Sequence, residues 1–383
     1  MNRVFRYAFI TNFKRFLAIT ILFAASIGCA QSAHFPDLSG EPILNEAQLE
    51  VVANLTLPPG NVTVAENGRL FFTYMPEARP SISVAEWVDG AAQPFPDASW
   101  QPSGTRSDKF ISVLPLRVDQ QNRLWLVDSG FHGIMQRVRI FAFDITTKQL
   151  LHQHTLPISV MGMGSYANDF QISQDGKWLY ISDSGIVNGA PAIIVYDVEN
   201  KLARRVLNKH PSVLAGQYEP VIQGIEMSIP NIFTLNPGVD GLALSQDGTT
   251  LFYEGFSNEN LYRISTATLN NLSLGLSDIA AQVDWVGAKT MSDGITTDSD
   301  DNIYLTDMEH DAIMRMSPTG EMTTLFKTPL LRWPDGFSHG PDDYLYISCS
   351  ALHQVFNRSR EFILAHGPYQ IFRFKLDATD ASP

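Results

Sequence analysis

The stretch Gln174-Asp175-Gly176-Lys177-Trp178-Leu179-Tyr180 runs from a polar turn into an apolar strand with aromatic residues, and it decides the fold because it recurs. The Asp-Gly pair supplies the backbone torsions of a tight hairpin. The same turn-then-strand grammar reads Glu66-Asn67-Gly68-Arg69-Leu70-Phe71, Gln120-Gln121-Asn122-Arg123-Leu124-Trp125, and Gln246-Asp247-Gly248-Thr249-Thr250-Leu251-Phe252. It returns in Ser299-Asp300-Asp301-Asn302-Ile303-Tyr304 and Pro341-Asp342-Asp343-Tyr344-Leu345-Tyr346. The aromatic markers Phe71, Trp125, Tyr180, Phe252, Tyr304 and Tyr346 follow one another about every fifty residues. Short strands at a long, near-regular period predict a radial array of small sheets, and six repeats predict an all-β, six-bladed β-propeller.

Third strands fit the same frame: Arg139–Asp144, Ala192–Asp197, Leu261–Ile264, Ala312–Met316 and Gln370–Phe374. The chain ends on a third strand, so Gln48–Leu55 is expected to add the outer strand of the last blade and close the ring, which hides an exposed sheet edge. Residues 34–47 read as an irregular lead-in, and a proline-bearing insertion is expected near 207–236. Residues 34–383 are therefore expected to be a single propeller domain.

Residues 1–33 read as a secretory signal peptide. Arg3, Arg6, Lys14 and Arg15 precede the apolar run Phe16–Ala25, which is short for a bilayer span, and small residues follow. Gly28-Cys29 resembles the end of a bacterial lipoprotein signal, which makes Cys29 a candidate lipid anchor and the one expected route to a membrane. The protein is expected to be exported: periplasmic, secreted or lipid-anchored at the cell envelope. The net charge of -13 disfavours nucleic acid as a partner. With Cys29 and Cys349 the only cysteines, neither a disulfide framework nor a cysteine-based zinc site is expected. Cys349 reads as a small buried hydrophobe.

In a propeller the starts of first strands and the ends of second strands meet at one mouth of the central channel. The first-strand starts carry Gly60-Asn61, Asn168-Asp169, Asp240-Gly241, Asp293-Gly294 and Asp335-Gly336, while Lys109-Phe110-Ile111-Ser112 in blade two breaks the rule. The second strands end in Asp128, Asp183, Glu254, Asp307 and Ser348. Carboxylates converging on one mouth need raised pKa values, a cation or a cationic ligand to offset their repulsion. Asn61, Asn168, Asp169, Asp240, Asp293 and Asp335 are the expected contacts to a small-molecule ligand, polar or aromatic and cationic. The alternative for any one aspartate is a structural bond to a neighbouring blade's backbone. An oxygen-only donor set suits Ca²⁺ or another hard divalent cation. Asp293 is the candidate base should the site transfer protons. His132, His310 and His353 fall in loops of the same face, where they could contact a ligand or shuttle protons, although exposed loop positions are the favoured expectation.

Several stretches resemble the major royal jelly protein/Yellow family. These are Phe110–Val113 with Arg117–Asp119 and Arg123–Gly130, then Gly238–Ser245 with Leu251–Tyr253 and Leu261–Arg263, and finally Leu331–Phe337 with Leu352-His353. Pro94-Phe95-Pro96 to Trp100 fits as well. The resemblance implies a six-bladed propeller. It also implies roles such as those of its insect members, which include secreted nutritional proteins, a proposed dopachrome-converting tautomerase and salivary binders of biogenic amines. The cysteines that form disulfides in insect members are missing here. A more distant resemblance to calcium-dependent gluconolactonase propellers implies a metal set of Asn168, Asp240 and Asp293, and metal-dependent lactone hydrolysis. Gly60 or Asn61 stands where that family has a glutamate.

Overall fold

The computed structural model describes residues 35–102 and 109–376; the signal segment and Cys29 lie outside the described residues. Six four-stranded antiparallel sheets follow one another along the chain. Their innermost strands are Pro59–Val64, Val113–Val118, Ala167–Ile172, Val239–Leu244, Ile295–Thr297 and Pro334–His339. Each pairs with the strand after it, and contacts between consecutive innermost strands run around the ring. The fold is a six-bladed β-propeller, as the repeat predicts.

The ring closes where expected. Glu50–Leu55 pairs antiparallel with Tyr369–Lys375, so blade six is built from both ends of the described chain. Ala53 and Leu55 are buried there with Val355, Ile363, Tyr369 and Ile371. The lead-in is fastened as well: the N–H groups of Ile43 and Leu44 donate to the carbonyls of Thr324 and Leu325 in the outer strand of blade five. Cys349 is buried in the core between blades five and six, as its apolar setting implies.

The insertion after blade three folds into two small hairpins, Val221–Ile222 with Ile225–Glu226 and Ser228–Ile229 with Phe233–Thr234. Short helices, unassigned from sequence, cover Thr266–Asn270, Leu276–Ala280 and Arg360–Ala365. Blade two corrects the register expected from sequence. Its innermost strand begins at Val113, so Leu114-Pro115, not Lys109–Ser112, occupies the axial position.

Leu55 is 3% exposed in the closing strand. Leu55→Ala should cost about 2–5 kcal/mol of unfolding free energy, read as a lower urea midpoint with an unchanged slope.

Candidate functional site

A single backbone device builds the channel mouth. In blades one, two, three, four and six the ladder between first and second strands slips just after its first pair, which is a β-bulge. A bulge turns its residues out of the ladder and re-aims their side chains. The freed N–H of the third position then finds a side chain on the second strand. Asn61, Asp169 and Gly336 donate to the hydroxyls of Thr73, Ser182 and Ser348, and Gly241 donates to Glu254 Oε1. In blade five Asp293 and Gly294 both donate to Thr306 Oγ1. Blade two has Pro115 at the third position, with no N–H to satisfy, and the apolar Val127 opposite.

The bulge sends its two residues to opposite sides. Second-position residues Leu114, Asn168, Asp240, Asp293 and Asp335 line a cavity of about 310 Å³ on one face. Third-position residues Asn61, Asp169, Gly294 and Gly336 line a chamber of about 10 Å³ beneath, near the size of one water. Asn168, Asp240, Asp293 and Asp335 border both spaces and so form the floor between them. In blades five and six glycine at the third position is a steric necessity. A Cβ on Gly294 would lie 1.9 Å from the Asp335 carbonyl oxygen, and one on Gly336 would lie 2.3 Å from Asn61 Oδ1.

The floor is lopsided. Blades four, five and six contribute Asp240, Asp293 and Asp335, whereas blades one and two contribute Gly60 and Leu114. The Asn168 amide donates to Asp240 Oδ1, and Asp240 in turn bonds Asp293. The Trp333 indole N–H donates to Asp293 Oδ2. Among the described residues no lysine or arginine pairs with these three carboxylates. Burial, then the charge of Asp293 and its neighbours, drives Asp240 and Asp335 well above the ordinary carboxylate range. Burial also raises Asp293, to about 6, and the indole and Asp240 bonds restrain it.

Asp169 and Asn61 sit differently from the other four. Asp169 accepts from Arg117 and from the Leu242 and Phe170 N–H groups, which ties blade three to blades two and four. Asn61 Oδ1 accepts from the Val62 N–H. Both face the lower chamber.

The second-strand ends, expected at the mouth, stand outside it and are buried with their own partners. Asp128 takes Arg139 at 2.6 Å, Asp183 takes Arg205 at 2.6 Å, Glu254 takes Lys289 at 2.8 Å and Asp307 takes His310 at 2.9 Å. They also accept backbone N–H groups from the strand entrances, such as those of Ser112 and Tyr166. Burial lifts Glu254 to about 7 against the pull of Lys289. These acids brace the strands of their own blades; a carboxylate one step off the axis meets basic side chains of its own blade before it meets the channel.

Above the floor the walls are apolar and aromatic: Tyr166, Phe256 and Trp333 with Leu235, Leu352 and Phe356, and Glu77 and His132 also border the cavity. Phe256 and Trp333 stack at 6.0 Å. Trp333 holds a left-handed backbone (φ 54°), rare for a bulky side chain, and its carbonyl is bound by the Ser350 N–H. Trp333 lies within the quoted Leu331–Phe337 stretch, yet nothing in that stretch signals its bond to Asp293. Phe233 and Leu235 come from the insertion. The histidines depart from expectation. His132 stacks on Tyr166 and lines the cavity, His310 bridges Asp307 and Asp37, and His353 is buried behind Trp333. Burial lowers His353 to about 4, so its ring is neutral at pH 7.

These observations define a six-bladed propeller with an acid-floored, aromatic-walled cavity at one channel mouth. The chain belongs to the major royal jelly protein family, whose model matches residues 111–331. Major royal jelly protein 6 of Apis mellifera is 26% identical over 184 residues, covering 45% of this chain and 39% of that protein. Major royal jelly protein 9 of Apis mellifera is 27% identical over 199 residues, covering 50% and 44%. The chain thus matches well under half the length of these curated relatives. Among solved structures, a gluconolactonase from Xanthomonas campestris superposes with a TM-score of 0.55 at 13% identity, over 90% of this chain and 99% of its own. The calcium-binding protein regucalcin from Agrobacterium tumefaciens gives 0.54 at 14% identity, over 85% and 93%. That likeness is one of fold.

Because folded Asp293 holds its proton up to about 6, the folded state binds more protons than the unfolded chain between roughly pH 4 and 6, and stability falls as pH rises through that window. Asp293→Asn should remove this loss. Its stability relative to wild type should be roughly 2–3 kcal/mol greater at pH 7.5 than at pH 4, measured by urea denaturation at both.

Gly294→Ala should destabilise at any pH, by more than about 2 kcal/mol, because the neighbouring strand's backbone blocks the methyl group. Thermal unfolding reads this loss.

Proposed function

We propose that this chain is an exported propeller that binds a small cationic amphiphile, an aromatic or alkyl amine, in the cavity at the acidic channel mouth. The observation that carries this reading is the lopsided floor. Three neighbouring carboxylates lack a basic partner among the described residues, and they lie across from Gly60 and Leu114 under aromatic walls. An ammonium group at Asp240, Asp293 and Asp335 offsets their mutual repulsion, and Asn168 offers an amide oxygen or N–H beside them. The apolar remainder of the ligand lies against Phe256, Trp333 and Tyr166, where a cation near an aromatic face gains further. The cavity volume of about 310 Å³ is that of a small-molecule site. Export rests on the signal-like residues 1–33, with secretion, the periplasm or a lipid anchor at Cys29 as the destination. The acidic balance leaves nucleic acid without a surface to track.

Calorimetry with phenethylamine and with its neutral alcohol counterpart tests the reading. The amine should bind at least tenfold more tightly than the alcohol, and Asp335→Asn should weaken the amine at least tenfold, equivalent to ~1.4 kcal/mol. Equal affinities, or no heat with either compound, would overturn it.

A second reading makes the same site catalytic, and the position of Asp293 favours it. A carboxyl group lifted to about 6 beside two other raised carboxyls is poised to take a carbon-bound proton near neutral pH, as a tautomerase requires. In the lactonase variant of this reading a hard divalent cation such as Ca²⁺ would be held by Asn168, Asp240 and Asp293. Their oxygen donors suit such an ion and already meet side by side. The ion would supply an activated water. Turnover that survives chelator and dies in Asp293→Asn supports proton transfer; turnover restored only by Ca²⁺ supports the lactonase chemistry.

A further inference from the structure

Three loops on the cavity face carry a dense set of exposed apolar side chains. Phe131, Ile134 and Met135 follow the second strand of blade two, Ile158 and Met163 lie between blades two and three, and Val187 follows the second strand of blade three. Ile158 is 70% exposed, Met163 65% and Met135 60%. The loops touch: the Gly164 N–H donates to the His132 carbonyl at 2.7 Å, and Asn188 Nδ2 donates to the Met163 carbonyl. In a chain with 40 acidic and 27 basic residues, positions 129–136, 157–165 and 184–190 contain no Asp, Glu, Lys or Arg. An exposed apolar patch of this kind marks an interaction surface, and one without charges offers nothing to a polar protein partner.

The course of the chain identifies the occupant. Phe35, the first described residue, packs against Tyr218 at 4.8 Å and shares a core cluster with Phe256 and Trp333, two walls of the cavity. The preceding segment therefore joins the propeller on the face that bears the apolar loops. Cys29 lies six residues before Phe35, within about 20 Å of extended chain, and the apolar run Phe16–Ala25 comes shortly before it. A lipid on Cys29 would therefore lie within that reach of the face where the described chain begins.

We infer that the cavity face docks on a lipid bilayer, with Ile134, Met135, Ile158 and Met163 entering the interfacial layer and the cavity mouth opening beside it. The inference rests on the export reading above for the presence of a membrane, and it extends the ligand reading: the site draws amphiphilic amines from the interface where they concentrate. Binding of this type scales with buried apolar area and responds weakly to salt.

The test is sedimentation of the full chain with phosphatidylcholine vesicles, comparing wild type with the double variant Ile158→Asp/Met163→Asp and with a control, Leu151→Asp/Trp285→Asp, on outer strands of blades two and four. The partition coefficient of the first double variant should fall at least tenfold and that of the control should not change. Calorimetry with phenethylamine on the same proteins reads the cavity independently, since neither Ile158 nor Met163 lines it. Retained amine affinity with lost vesicle binding supports the docking face. Equal vesicle binding by all three proteins overturns it, because attachment then runs through residues 1–33 alone. No vesicle binding by wild type, or a dimer in light scattering that the Ile158→Asp/Met163→Asp variant dissolves, also overturns it, the latter in favour of a second copy of the chain.

Discussion

Six sheets arranged in a ring must bring their innermost strands together at one axis, where a regular ladder has no room for side chains that point inward. The bulge at the start of five of the six innermost strands resolves this crowding. It frees one N–H per blade, and a hydroxyl or carboxylate from the second strand takes that N–H. Where the residue is proline, as at Pro115, the acceptor is absent too. The same kink that lets the ring close therefore also sends one residue per blade into the cavity and the next into the chamber below. Fold and site share a cause, and glycine recurs at the third position because the neighbouring blade fills the space of a Cβ.

The acids of this face fall into two tiers with different physics. Those at second-strand ends are fully buried and each has a basic partner, Arg139, Arg205, Lys289 or His310. Removing one partner of such a pair leaves a buried charge uncompensated, so they are fixed parts of the frame. The tier on the axis has no such cations. Its carboxylates offset one another's charge only by keeping protons, which is why burial and mutual repulsion together push Asp240 and Asp335 so far upward. Held together without basic partners, these groups cost the fold stability as they ionise.

The propeller was legible because its signals are local. Turn dipeptides, aromatic strand starts and a period near fifty do not depend on what packs against them, and closure by Glu50–Leu55 follows from an unpaired edge. Asn168, Asp240, Asp293 and Asp335 could be found because first-strand starts are visible as Asp-Gly or Asn-Asp. The division of labour among the acids was not legible. Asp128 and Asp183 look like Asp240 in sequence, and only the third and fourth strands, which bring Arg139 and Arg205 to them, tell the tiers apart. The Leu114 position was misplaced because proline and leucine there carry no polar signature. Trp333, Phe256 and His353 reach the site through tertiary contacts that span blades, which spacing along the chain does not encode.

Ring closure also sets the order of events for a newly made chain. The ion pair between Arg373 and Glu50 joins residues 323 apart, and the strands that carry them complete the same sheet. A polypeptide made from its N-terminus presents Glu50–Leu55 early and must hold that strand unpaired until Tyr369–Lys375 emerges. Contacts of such long separation form slowly. The cavity mouth, lined from all six blades, is thus among the last features of the molecule to form, and a prematurely ended chain leaves it incomplete even if five of its sheets are sound.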